Sequence, residues 1–367
     1  MSEIVQIMLI GSLVATAAAI PGCFLILRKM AMMSDAISHS VLLGIVIMFF
    51  AIKTLHSPLL ILAATLTGIL TVYCTELLIA SKKMKKDAAI GFIFPLFFAI
   101  AVLLINQFAQ NIHLDTDTVI LGEIAFAPLN RWIIGGIDIG PVALWIMGAI
   151  GLLNTLFIGL FYKELKCSTF DAPLAATLGF SPILLHYGLM TCVSITCVGA
   201  FEFVGTILIV ALIITPPATA YLLSHRLSQM IFLSVGIGIA SAVSGTLLAV
   251  ILDGSISGAM CTCSGAFFLI AFLISPNHGL IQKFYTKKQQ NLQFSAILLT
   301  IQFLNHQNSN PFEYSIQNLI DHMRWSESFA QKVVSYALLK NYITYKAPNY
   351  RLTDYGVEVA KNAITIS

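Results

Sequence analysis

The sequence predicts an all-α polytopic membrane protein of eight or nine transmembrane helices, followed by a small α+β domain with a winged-helix outline. Three observations predict it. Of 367 residues, 58% are hydrophobic and only 10% are charged, and the mean hydropathy is +0.88, far from the roughly quarter-charged composition of soluble domains. Apolar runs of about twenty residues, the length that crosses a bilayer, recur as far as Ile274. After Pro276 the chain turns soluble in character, which places a transmembrane domain at residues 1–280 and a second domain at 281–367.

Composition also bounds function. The formal charge of +3 is too small to make nucleic acid the main partner, and the basic residues gather in short loops instead. Residues Ser2 to Ile20 lack a basic n-region, so they are read as a retained helix and not as a cleavable signal. The cysteines number seven (Cys23, Cys74, Cys167, Cys192, Cys197, Cys261 and Cys263) and lie mostly inside apolar runs. They are read as small buried hydrophobes with no disulfide framework.

Candidate spans fall near Ile4–Leu27, Ile37–Ile52, Pro58–Ala80, Ala88–Asn106, Pro141–Tyr162, Pro182–Ala200, Val204–Leu223, Ile231–Leu252 and Gly258–Ile274. Lys82, Lys83, Lys85 and Lys86 share one loop, Lys163 and Lys166 another, and Arg226 lies in a third, whereas Asp115, Asp117, Glu123 and Asp138 sit between the fourth and fifth spans. The positive-inside rule makes the basic loops cytoplasmic and the acidic loop external, and the tail then follows as cytoplasmic.

Within this frame, Arg28 to Gly44 packs two cations, a carboxylate and an imidazole into an apolar setting. Asp35 and His39 are i and i+4, so on a helix both project from one face and form a two-ligand half-site for a divalent cation. Ionisable residues at membrane depth usually mark a pathway. The competing reading has Asp35 capping a helix that runs to Phe50 and His39 satisfied by a neighbouring helix. The segment His113 to Glu123 alternates His113, Asp115 and Asp117, which would line one side of an extended strand, or simply make an external loop polar.

Two later stretches stand apart. In Lys163 to Pro182, Asp171 can cap a short helix with Pro173 in its first turn, Leu174, Leu178 and Phe180 on its apolar side, and Gly179 as its stop. Such a helix wants a partner surface, or else lies on membrane lipid. In Ala200 to Ala220, Glu202 opens an apolar run in which Pro216-Pro217 is expected to break the helix. Broken helices at membrane depth line cavities, so Glu202 is a second pathway candidate beside snorkelling to the interface.

The tail reads as helices near Leu292–Asn305, Ser315–His322 and Ser326–Asn341, two short strands across Tyr342–Leu352 with a turn at Ala347–Asn349, and a last helix capped by Thr353 or Asp354. The third helix offers Ser326, Glu327, Ser328, Gln331, Lys332 and Ser335, a poorly basic set for reading a DNA groove. DNA binding and a protein-facing role therefore both stay open. His306 and His322 are isolated, and no metal is expected in the tail.

Four stretches together resemble the integral-membrane permease subunits of metal-uptake ABC transporters, the manganese/zinc/iron family. They are LRKMAMMSDAISHSVLLG, MKKDAAIG with the later LDTDTVILGEI, TFDAPLAATLGFSP, and VGAFEFVGTILIVALIITPPATA. The likeness covers about residues 4 to 280, with small departures at Ala172 and Pro217. It implies a homo- or heterodimer of permeases in the cytoplasmic membrane, a separate ABC ATPase, and an extracytoplasmic solute-binding protein that delivers the ion. Asp35 and His39 would then be pathway ligands, and Phe170 to Phe180 the coupling helix in the ATPase groove. The cargo would be Mn, Zn or Fe, with no permanently bound cofactor. The run LLKNYITYKAPNYRLTDYGVEVA is similar to the wing of metal-dependent repressors of the diphtheria-toxin-repressor type.

No G-x-x-x-x-G-K-[ST] loop occurs in the chain, so ATP hydrolysis belongs to a partner and the chain itself is not read as an enzyme. Two alternatives remain: a permease for a metal chelate or siderophore, and a membrane-anchored metal-responsive transcriptional regulator.

Overall fold

The computed structural model describes residues 2–53, 58–108, 124–134, 137–275, 279–305, 323–346 and 349–366. They form two compact units, residues 1–277 and 278–367.

Among its described residues the first unit contains eight helices long and apolar enough to cross a membrane. These are α1 (Glu3–Leu27), α2 (Met32–Ile52), α3 (Pro58–Ala80), α4 (Lys86–Phe108), α5 (Val142–Leu160), α8 (Pro182–Leu223), α9 (Leu227–Leu252) and α10 (Ile256–Ile274). Between α4 and α5 lies an antiparallel hairpin, β1 (Arg131–Ile134) and β2 (Ile137–Pro141), pinned by Arg131 Nε donating to Asp138 Oδ2 at 2.7 Å. Arg131 beside it holds the Asp138 carboxyl below its ordinary range. Two short helices, α6 (Tyr162–Phe170) and α7 (Ala172–Thr177), fill the loop between α5 and α8.

Helix α1 is the central post, packed on α5, α8 and α9 through small residues. Ala15, Ala17, Ala18 and Ala19 are fully buried. Small residues let helix backbones approach closely, which matters where no hydrophobic difference between lipid and protein drives association. Large apolar side chains such as Leu152, Phe232 and Ile251 instead point outward, each more than two-thirds exposed (70%, 79% and 78%), as a lipid-facing surface requires.

The 42 residues of α8 hide a reversal. A straight helix of that length would be about 63 Å long, twice the roughly 30 Å of a hydrocarbon core. Yet Leu185 near its start shares a packed cluster with Phe24 and Leu165, while Ala220 near its end packs with Cys23 and Met230. Both ends thus lie beside the last turns of α1. The chain folds back at Gly205, whose φ of 75° and ψ of 170° are non-helical and open essentially to glycine alone. The two halves match the two separate runs read from the sequence.

The break expected at Pro216-Pro217 is therefore corrected: both prolines sit inside the second half of α8, buried. Pro217 has no N–H for the carbonyl of Ile213, four residues back. That freed carbonyl faces Gly22 of α1, where an added Cβ would come within 2.1 Å of it. The proline frees a backbone oxygen, and α1 closes over it with a glycine.

In the second unit, α11 (Leu280–Asn305), α12 (Glu327–Leu339), the antiparallel hairpin β3 (Ile343–Lys346) and β4 (Asn349–Leu352), and α13 (Asp354–Ile366) pack around Leu299, Phe303, Val333, Val334 and Tyr342. The first tail helix starts at Leu280, twelve residues before the point expected from periodicity. The expected helix Ser315–His322, with His306 and His322, lies outside the described residues.

Candidate metal pathway and coupling segment

Asp35 and His39 sit inside α2. The helix begins at Met32 with Ala31 as its flanking residue, so Asp35 does not cap it, and that alternative is removed. His39 Nε2 lies 3.4 Å from Asp35 Oδ1, and the two side chains are 32% and 31% exposed. Both belong to a half-open stripe with Met32 and Leu42, while Ser34, Ser38 and Ser40 on the other faces are buried. Phe94 and Phe98 of α4 flank the imidazole, with ring centroids 5.8 and 6.1 Å away. Two aromatic rings orient the histidine beside the carboxylate. One carboxylate oxygen and one imidazole nitrogen thus lie together on a part-exposed face, donor types that suit divalent transition metals.

Glu202 is exposed, three residues before the reversal at Gly205. No hydrogen bond or ion pair among the described residues joins it to Asp35 or His39. His113, Asp115, Asp117 and Glu123 lie outside the described residues. Among those described, no three of His, Cys, Asp and Glu come together as a metal-holding group.

The segment from Phe170 to Phe180 forms the capped turn that its residue types demand. Asp171 Oδ1 accepts the backbone N–H of Leu174 at 3.0 Å, and Pro173 stands in the first turn. At the other end Phe180 N–H donates to Ala175 O and Gly179 N–H to Ala176 O, both at 3.1 Å, with Gly179 at φ 86°. This paired closure with a left-handed glycine satisfies the last carbonyls of the helix. The helix buries Ala175 inward and leaves Phe170, Leu174 and Leu178 outward, 65%, 49% and 58% exposed. Three exposed apolar side chains thus stand together on a capped turn. Phe180 is half-buried and packs with Phe24, Leu165 and Leu185, holding the base of the turn to the bundle.

The structure adds a polar cluster that sequence reasoning passed over. Arg28, Glu76, His186 and Tyr187 line a cavity of about 260 Å³ with Ser168, Ala172, Pro182 and Ile183. His186 Nε2 is 2.6 Å from Glu76 Oε1, and Tyr187 O–H donates to Glu76 Oε2 at 2.6 Å. Burial lowers the Arg28 guanidinium from its ordinary pKa. One signal could have found this site: Glu76 is a carboxylate inside the apolar run Pro58–Ala80, which by itself marks a functional position.

The family profile of the ABC 3 transport family matches residues 1–275. The chain is 42% identical over 365 residues to the zinc transport system membrane protein TroD of Treponema pallidum, covering 99% of both chains. It is 44% identical over 273 residues to the manganese transport system membrane protein MntD of Bacillus subtilis, which spans 74% of this chain and 92% of that one. Among solved structures it is similar to PsaBC from Streptococcus pneumoniae in complex with Fab, with a TM-score of 0.63 and 31% identity, covering 78% of this chain and 95% of that chain. From the matched profile and the extent of these relatives, the chain belongs to the ABC 3 transport family.

Proposed function

We propose that the chain is the permease subunit of an ATP-driven importer that moves Mn, Zn or Fe ions across the bacterial cytoplasmic membrane. The observation that carries this reading is the Asp35–His39 pair, one turn apart on the half-open face of an otherwise apolar helix. Relatives named for zinc and manganese transport support the cargo class. One copy supplies two ligands, and a second permease copy or paralogue facing the same stripe would supply the rest. A carboxylate and an imidazole suit divalent transition ions, and a shell shared between two subunits can be opened by moving them apart. Glu202 serves as an outer pathway group.

An extracytoplasmic binding protein delivers the ion, and an ABC ATPase seats the knob formed by Phe170, Leu174 and Leu178. The end of the bundle that carries Arg28, Lys86 and α6 is cytoplasmic by its basic loops, which puts the ATPase on the correct side. For the tail, the hairpin β3–β4 after α12 supports a winged-helix reading. Ser328, Gln331, Lys332 and Ser335 along α12 favour a protein partner over DNA, and binding of residues 278–367 to duplex DNA at low salt would reverse that preference.

The test is metal content in a host lacking its own uptake system, expressing the chain with an ATPase and a binding protein. Cellular Mn, Zn and Fe are compared between wild type and the variants Asp35→Asn and His39→Gln at matched membrane abundance. One metal is expected to rise with wild type and with neither variant. An equal rise in all three strains would remove Asp35 and His39 from the pathway. Absence of any rise with an assembled complex would shift the reading to a chelate permease.

A further inference from the structure

One guanidinium at the turn between α1 and α2 is held from two sides. Arg28 Nε donates to Thr169 Oγ1 at 3.1 Å and Nη2 to Ser168 Oγ at 3.4 Å, both at the end of α6 just before Phe170. Nη1 meets Nδ1 of His186, in the second turn of α8, at 3.1 Å. A guanidinium can only donate, so Nδ1 is the bare nitrogen and the imidazole proton sits on Nε2. That nitrogen is buried and lies 2.6 Å from Glu76 Oε1 of α3. Tyr187 holds the other carboxylate oxygen, and Lys86 Nζ of α4 donates to the Arg28 carbonyl at 3.2 Å.

The turn that follows is stiff. Lys29 adopts a left-handed φ of 55°, with Lys29 N–H donating to Ile26 O and Met30 N–H to Leu25 O, the paired closure that locks a helix end. Only Lys29, Met30 and Ala31 separate Arg28 from α2, and Asp35 stands in the first turn of α2. A displacement of α6 therefore has a short hydrogen-bonded route to the foot of the helix that carries the half-site. Directional bonds transmit such a shift where apolar packing would slide.

We propose that Arg28, held by Ser168 and Thr169 of α6 and by His186 of α8, is a positioning residue that ties movement of the α6–α7 docking segment to the tilt of α2, and so to opening of the Asp35–His39 half-site. The proposal rests on the permease reading above and gives it a named internal linkage.

The test uses the full chain assembled with its ATPase and binding protein in liposomes, reading Mn²⁺ uptake and phosphate release in the same sample, with Zn²⁺ in parallel. Arg28→Gln and His186→Gln are expected to keep ATP hydrolysis within about twofold of wild type, while the metal moved per ATP falls about tenfold or more. The double variant is expected to fall no further than either single one, because both cut the same linkage. Arg28→Lys is expected not to rescue, since an ammonium carries its donors on one nitrogen and lacks the planar fork whose three nitrogens reach Thr169, Ser168 and His186. Uptake and hydrolysis falling in parallel, or a wild-type ratio in every variant, would overturn the linkage. If either glutamine variant fails to assemble, Thr169→Val removes the hydroxyl that accepts Arg28 Nε with the side-chain shape kept, and an unchanged ratio there overturns the proposal equally. Wild type that takes up neither ion would overturn the permease reading itself, which is a different result from variants that transport normally.

Discussion

At the scale of single residues, two glycines and a proline decide how the longest helix is used. Gly205 holds a backbone conformation that a side chain resists, at a cost of about 1–3 kcal/mol. Gly205→Ala is therefore expected to lower the melting temperature of the detergent-solubilised protein and its folded yield, whereas Ala218→Gly in the helical second half should cost less. A Gly205→Ala protein that melts like wild type would show that the reversal does not depend on the glycine. The importance of Gly205 was not legible in the sequence, where Pro216-Pro217 was the louder signal. The prolines removed helix donors as expected, but Gly22 packs beside the freed Ile213 carbonyl, and the helix continues. Asp35 shows the converse: its i,i+4 spacing to His39 was plain, and only the helix start at Met32 could exclude a capping role.

At the scale of elements, α7 is the clearest case of sequence dictating form. Asp171, Pro173 and Gly179 each occupy the position their chemistry favours. Asp171→Ala is expected to destabilise this short helix by about 1 kcal/mol and to weaken retention of the ATPase on the purified permease. Leu174→Asp, which leaves the cap intact and changes only the exposed face, should abolish that retention. Co-purification of the ATPase at wild-type stoichiometry with Leu174→Asp would place the docking surface elsewhere. Apart from the lone carboxylate Glu76, the polar cluster around Arg28 was illegible for a different reason: its members come from positions 28, 76, 168, 169 and 186, and nothing in sequence spacing brings them together.

At the scale of the whole molecule, the two units have separate cores, one built on α1 and α8 and the other on Phe303, Val333 and Val334. The manganese relative MntD of Bacillus subtilis is matched over 92% of its length by 74% of this chain, so a membrane unit of this kind can do without most of the tail. A chain lacking residues 278–367 is expected to insert in the membrane and to melt at the same temperature as the first unit of the full chain, followed by intrinsic fluorescence in detergent. A loss of insertion would show that the tail supports the bundle. Sequence alone determined the membrane class, the approximate spans, the capped turn at Asp171 and the Asp35–His39 pair, because each rests on local composition or on spacing within one helix. Tertiary structure decided the fold-back of α8, the part-exposed setting of Asp35 and His39, and the hydrogen bonds that gather around Arg28. Those depend on which distant helices press together, and in an apolar chain hydropathy is nearly the same for every pairing; close approach at small residues and a few directional hydrogen bonds select the one that forms.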